Sequence, residues 1–253
     1  MATIILLRHG RTSANASGVL AGWSPDVHLD DVGRAQAEAA ASAITAGCTP
    51  DRIVASPLVR CQETAAALTA ATGTPVDTDD AVGECRYGAW TGRKLGELAG
   101  EELWKQVQEH PSQVTFPPSP DFEHESMTAM QQRAVEAVHA LAASLDATSA
   151  NGVGVVVSHG DVIKAILSDA LAQHLDDFQR IVLSPASTSV VRTTPTGAIV
   201  LGMNLTPGGV ADALTLAGAG SAATAVGGAT GTSSAPAQPD DDERTPDAPR
   251  ATQ

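Results

Sequence analysis

Three short runs, Thr3–Leu7, Arg52–Ala55 and Val153–Val157, are separated by long Ala-rich stretches, an alternation that limits the chain to an α/β fold on a mostly parallel sheet. A strand covered on both faces reads as a continuous apolar run, as Val153–Val157 does, so helices are expected on both sides of the sheet. The intervening stretches predict helices over Asp31–Ala46, interrupted by Gly33, and from an N-cap at Ser56 with Pro57 in the first turn to about Ala71. Further helices are predicted around Lys94–Glu109, Ser126–Leu145 and Val162–Ala172, with a Pro-rich loop over Phe116–Asp121 as a cap. Ser187–Thr193 and Ala198–Met203 read as closing, antiparallel strands. The expectation is a single three-layer α/β/α domain over residues 1–205, followed by a disordered Gly/Ala/Pro-rich acidic tail over residues 206–253. Few large apolar side chains occur in that tail, so little burial opposes the entropy of ordering it.

Composition narrows the partners. Aromatic residues make up only 3% of the 253, so the core must be aliphatic. With 15 basic against 29 acidic residues the formal charge is −14, which opposes nucleic-acid binding. No run approaches the roughly 18 apolar residues of a membrane span, and no basic segment precedes Ile4–Leu7 as in a secretory leader. Cys48, Cys61 and Cys85 lack paired metal-ligand spacing and suit a reducing compartment, so a cytoplasmic location is expected. Monomer and homo-oligomer both stay open.

In open α/β sheets ligands bind beyond the carboxyl ends of the strands. Those ends carry Arg8-His9-Gly10, then Ser56-Pro57-Leu58-Val59-Arg60, then Ser158-His159-Gly160. Two guanidiniums and two imidazoles converging on one rim suit a phosphate, because Arg presents a planar fork to its oxygens. No GxxxxGK[ST] loop and no HExxH pair is present, so neither a metal nor any other cofactor is expected. Histidine is then the candidate nucleophile, attacking phosphorus to give a phosphohistidine that water hydrolyses.

These segments resemble the histidine phosphatase superfamily, which includes the cofactor-dependent phosphoglycerate mutases. Arg8–Asn15 is similar to its RHGxTxxN opening, Ser56–Ala65 to its SPLxRxxxTA segment, Glu84 to Gly92 to ExxxGxWxG, Glu125-Ser126 to a short signature, and Val157–Gly160 to a second histidine motif. The resemblance implies that His9 is phosphorylated, that Arg8, Arg60 and His159 hold the phosphoryl group, and that Glu84 protonates the leaving oxygen. It also implies that Asn15, Gly22 and Gly160 line the substrate side. Spacing alone does not single out Glu84. Cys61 reads as a packing residue, and Arg86, Arg93 and Lys94 as a solvated face that could also meet a second anionic group. Cys85 stands where the mutases carry arginine, and Ala21 where they carry threonine, which favours hydrolysis of a small phosphorylated metabolite. A phosphomutase and a non-catalytic phosphate-binding scaffold are the rivals.

Overall fold

In the computed structural model, which describes residues 1–218, six strands form one sheet ordered β3-β2-β4-β1-β5-β6. The strands are β1 (Thr3–Arg8), β2 (Arg52–Ala55), β3 (Val76–Thr78), β4 (Val153–Ser158), β5 (Thr188–Thr194) and β6 (Gly197–Leu205). The first four run parallel, whereas β5 and β6 close the sheet antiparallel, as the alternating sequence predicts. Strand β3 was missed because Val76-Asp77-Thr78 is too short and polar to register as an apolar run.

Successive strand residues face opposite ways, and the core is split accordingly. Ile4, Leu6, Val54 and Val156 face α6 (Met127–Thr148) and α7 (Gly160–Ala170) in one cluster. Ile5, Leu7, Ile53, Ala55, Val155 and Val157 face α2 (Asp31–Thr45) and α3 (Val59–Thr72) in the other. The three-layer architecture follows directly. The small Ala37, Ala40, Ala41 and Ala65 let α2 and α3 lie close to the sheet and to each other.

Four local expectations differ from the structure. Helix α3 begins at Val59 with Leu58 as its N-cap and no side-chain cap bond, while the Ser56 hydroxyl accepts from His159 Nε2 at 2.8 Å and from Leu58 N–H at 3.3 Å. The Lys94–Glu109 segment divides into α4 (Leu95–Leu98) and α5 (Glu102–Glu109), separated at Ala99-Gly100-Glu101. Helix α7 starts at Gly160 rather than Val162. The expected disordered tail opens instead with α8 (Val210–Gly218), a run of Ala and Leu with good helix propensity, although Val210 and Leu214 stay exposed. Later tail residues lie outside the described region. The Phe116–Asp121 loop is irregular as expected, and Phe116 pins it edge-on to Tyr87 and Trp90.

Gly10 and Gly33 bring the first strand's loop against the start of α2. A Cβ on Gly33 would overlap the Arg11 carbonyl, and one on Gly10 would overlap the Gly33 carbonyl. Both obstacles are backbone and cannot swing away. Gly33→Ala is therefore expected to destabilise the fold by about 3 kcal/mol, the upper part of the overpacking range. Urea unfolding checks this; a midpoint equal to wild type would contradict it.

Candidate active site

The parallel register sets the site. Arg8 pairs with Ser158, and Leu7 and Ala55 both pair with Val157, so three strand ends stop level on one edge. Backbone bonds continue past them, His9 N–H to the Ser158 carbonyl at 2.9 Å and Ser56 N–H to the Val157 carbonyl at 3.0 Å. His9, Ser56 and His159 thus become neighbours from positions far apart in sequence. The two imidazoles lie edge to face with centroids 5.3 Å apart.

His9 is nearly fully buried, and its Nδ1 lies 2.8 Å from the Gly10 carbonyl. A carbonyl can only accept, so Nδ1 carries the proton and Nε2 keeps its lone pair. Burial, then the charges of Arg60 and Arg8, hold this imidazole well below its ordinary pKa and so neutral. His159 has the reciprocal arrangement. Its Nδ1 accepts from Arg60 Nη2 at 3.2 Å, and its Nε2 donates to Ser56 Oγ at 2.8 Å. It too is kept neutral by burial and by Arg60.

Both arginines are buried. Arg8 donates from Nη1 to the Leu183 carbonyl at 2.6 Å, and burial lowers its pKa to about 10, leaving it charged at neutral pH. Arg60 donates from Nη2 to the Gly22 carbonyl at 2.9 Å, while its buried Nη1 has no hydrogen-bond partner among the described residues. An unsatisfied buried guanidinium nitrogen is costly, and a phosphoryl oxygen would satisfy it. Around it Thr64 Oγ1 donates to the Arg60 carbonyl at 2.7 Å and accepts from Gly10 N–H at 3.1 Å, tying the two loops together.

Glu84 is buried with Oε2 3.7 Å from His159 Nδ1, and Oε1 accepts from Cys85 N–H at 3.0 Å. Burial first, and the charge of Asp161 second, raise its carboxyl to about 7 against the opposing pull of Arg60 and Arg8. Its backbone is clamped: Trp23 Nε1 and Arg133 Nη2 both donate to the Glu84 carbonyl, at 2.6 and 3.0 Å. Arg133 is itself paired with Glu125 at 2.6 Å, which accounts for the Glu125-Ser126 segment. Ser126 caps α6 by accepting from Ala129 N–H.

The structure brings Arg8, His9, Arg60, Glu84, His159 and Gly22 together, with Gly160 beside them at the start of α7. Asn15 Oδ1 accepts from Thr12 N–H at 3.1 Å and Thr12 Oγ1 at 2.9 Å in a capping box on the short α1 (Ser13–Ser17), which fixes the side chain. Arg86 and Arg93 are not open to a second anionic group: Arg86 pairs with Glu123 at 2.7 Å and stacks on Trp23, and Arg93 pairs with Glu101 at 2.6 Å. Sequence reasoning missed Ser56 as the holder of His159, and also Tyr87, Arg133, Asp161 and Lys164. Asp161 and Lys164 do follow the second histidine at helical spacing, a signal for one buried face. No group of three or more metal-ligating side chains occurs among the described residues.

A buried cluster of two arginines and two neutral histidines beside a carboxyl whose pKa is raised to about 7, at the carboxyl edge of a parallel sheet, defines a phosphoryl-transfer enzyme. The chain belongs to the histidine phosphatase superfamily (branch 1), whose profile matches residues 4–206. A 2,3-bisphosphoglycerate-dependent phosphoglycerate mutase of Thermoplasma acidophilum is 28% identical over 191 residues, covering 76% of this chain and 87% of its own length. A glucosyl-3-phosphoglycerate phosphatase of Mycolicibacterium vanbaalenii is 31% identical over 178 residues, covering 69% and 76%. Among solved structures, phosphoserine phosphatase of Entamoeba histolytica in complex with 3-phosphoglyceric acid superposes with a TM-score of 0.71 at 24% identity, covering 82% of this chain and 98% of its own.

Proposed function

We propose that this enzyme is a phosphatase that hydrolyses small phosphomonoesters through a phosphohistidine on His9, without a metal. The observation that carries this reading is the His9 tautomer: Nδ1 is tied to the Gly10 carbonyl, so the buried Nε2 keeps its lone pair, in a site where the Arg60 charge bears on His9 and Arg60 Nη1 is unsatisfied among the described residues. In the first half-reaction the Nε2–P bond forms as the P–O bond to the leaving alcohol breaks, and the Glu84 proton passes to the departing oxygen. Arg8 and Arg60 bear on the equatorial oxygens. His159 can donate from Nδ1 once it gains a second proton, which burial resists and an arriving phosphate dianion favours. In the second half-reaction water attacks phosphorus, Glu84 takes its proton, and the P–N bond returns its electrons to His9. The three thiols are free, which suits a cytoplasmic setting. Among the described residues no helix is long and apolar enough to cross a membrane.

Hydrolysis is favoured over mutase chemistry by the surroundings. Cys85 is buried and uncharged, and the nearby Arg86 and Arg93 already hold carboxylates, so neither offers an unpaired guanidinium to a substrate carboxylate. A mutase must also retain its phosphoenzyme against water through contacts to the whole substrate. The test is a panel of phosphorylated metabolites assayed for inorganic phosphate with EDTA present. Release of phosphate from several alkyl esters, and from 3-phosphoglycerate without formation of its isomer, is expected. Isomer in place of phosphate would establish the mutase. Binding with no turnover of any ester would establish the scaffold, and activity abolished by EDTA and restored by a divalent ion would overturn the metal-free mechanism.

A further inference from the structure

Behind the site runs a chain of buried polar groups that the phosphoryl chemistry above does not use. The Tyr87 hydroxyl lies 2.8 Å from Asp161 Oδ2 and 3.4 Å from Glu84 Oε1. Beyond it, Lys164 Nζ stands 3.7 Å from Asp161 Oδ1 and donates to Gln179 Oε1 at 2.9 Å, over the ring of Phe178. Tyr87, Asp161 and Lys164 are all fully buried. Such a network is expensive to keep in a core, and one end of it touches the candidate proton donor.

We propose that Asp161, acting through the hydroxyl of Tyr87, is a positioning residue that keeps Glu84 in its proton-bearing form until the leaving oxygen takes the proton. This rests on the reading of Glu84 as general acid. A phenol has one proton for two carboxyl neighbours, and the shorter contact takes it. With the proton committed to Asp161, the Tyr87 oxygen turns lone pairs toward Glu84 Oε1. The ionised Glu84 would then have the Cys85 N–H as a donor and an opposing oxygen at 3.4 Å. A buried carboxylate so poorly supplied keeps its proton.

The charges around Glu84 otherwise favour its ionisation. Arg8 faces it from β1, Arg60 from α3, Arg133 from α6 and Lys164 from α7. The neutral thiols of Cys61 and Cys85, the phenol of Tyr87 and the imidazole of His159 complete its surroundings. Arg133 is paired with Glu125, and Asp161 is the carboxylate set against the other three cations. Without it they would draw the proton off Glu84 at a lower pH.

The experiment is the pH dependence of kcat/KM on an alkyl phosphate. A protonated acid is required, so the wild-type rate should fall as pH rises through about 7. In Asp161→Asn the midpoint of that fall is expected to move down by about one pH unit or more, because a buried carboxylate facing Glu84 is removed and the phenol is released to donate to it. Tyr87→Phe removes the opposing oxygen but supplies no donor to Glu84, so it should lower the midpoint by clearly less than Asp161→Asn does. In the Tyr87→Phe background the Asp161→Asn step should move it less. A structural role would lower the rate at every pH with the midpoint unmoved in both variants, and that result overturns the proposal; so does an equal downward shift in Tyr87→Phe alone. Should Asp161→Asn not fold, carboxyl-13C glutamate in the full-length wild type gives a direct titration, with Glu84 assigned by its loss in Glu84→Gln. A midpoint near 7 that falls in Tyr87→Phe is expected, and one at the ordinary carboxylate value, or one unmoved in Tyr87→Phe, overturns the proposal. The underlying reading fails separately: Glu84→Gln then slows alkyl and aryl phosphates equally.

Discussion

Replacing His9 by alanine should abolish phosphate release, with turnover lowered by at least about 10⁴-fold, as expected when a covalent nucleophile is removed. His9 is the one imidazole in the cluster whose lone pair is not already spent on a hydrogen bond, since the His159 Nδ1 accepts from Arg60. Rapid quenching of wild-type turnover with a phosphate ester labelled on phosphorus should trap a protein-bound phosphoryl group that survives base and is lost in acid, the behaviour of a P–N bond. The same label should be missing from His9→Ala. An intact phosphoprotein in that variant would remove His9 from its role and make His159 the next residue to test. His9→Ala also removes a side chain from a rigid pocket without exposing a charge, so it should fold, and its circular dichroism separates lost chemistry from lost structure.

The second large effect concerns the leaving group. An alkoxide departs poorly from phosphorus, and a positioned acid contributes about 10² to 10⁴-fold, whereas p-nitrophenolate departs without help. Glu84→Gln should therefore lose most of its single-turnover phosphorylation rate on an alkyl phosphate and far less on p-nitrophenyl phosphate. Glutamine keeps the Cys85 N–H bond to Oε1, and the Trp23 and Arg133 bonds are to the backbone carbonyl, so the geometry is retained while the transferable proton is not. Breakdown of the His9 adduct is expected to slow on both substrates, because the same carboxylate activates water in that step. Equal losses in phosphorylation would make Glu84 a residue that orients Arg60 or the phosphoryl oxygens. The pH profile gives an independent check: the fall above about 7 should vanish in Glu84→Gln.

Much of this molecule could be read before its structure. The all-aliphatic Val153–Val157 run required a strand covered on both faces, and the two clusters on either side of β4 are that requirement met. The residues after three strands announced an anion site because a parallel sheet brings its carboxyl ends to one edge, whatever the distance along the chain. Arg8, His9, Arg60 and His159 were therefore legible from placement, and Glu84 from family resemblance.

Tertiary structure decided what placement could not. Glu84 precedes no helix and ends no strand; its loop is held at the sheet edge by Arg133, 49 positions later, which is itself paired with Glu125. Ser56 looked like a helix cap, since local sequence cannot show that a histidine 103 positions away competes for its hydroxyl. Local sequence does not show that Thr12 fixes the Asn15 amide through its oxygen. Asp161 and Lys164 are polar letters in an apolar helix, and only their burial against Tyr87 and Gln179 distinguishes them from a solvated face. The sequence by itself determined the sheet's apolar central strands, most of the helices that cover them and the rim proposed for phosphate chemistry, because these depend on hydrophobic pattern and chain direction. Proton positions, and the contacts proposed to leave Glu84 its proton, depend on hydrogen bonds between residues remote in sequence, and these exist only once the chain has folded.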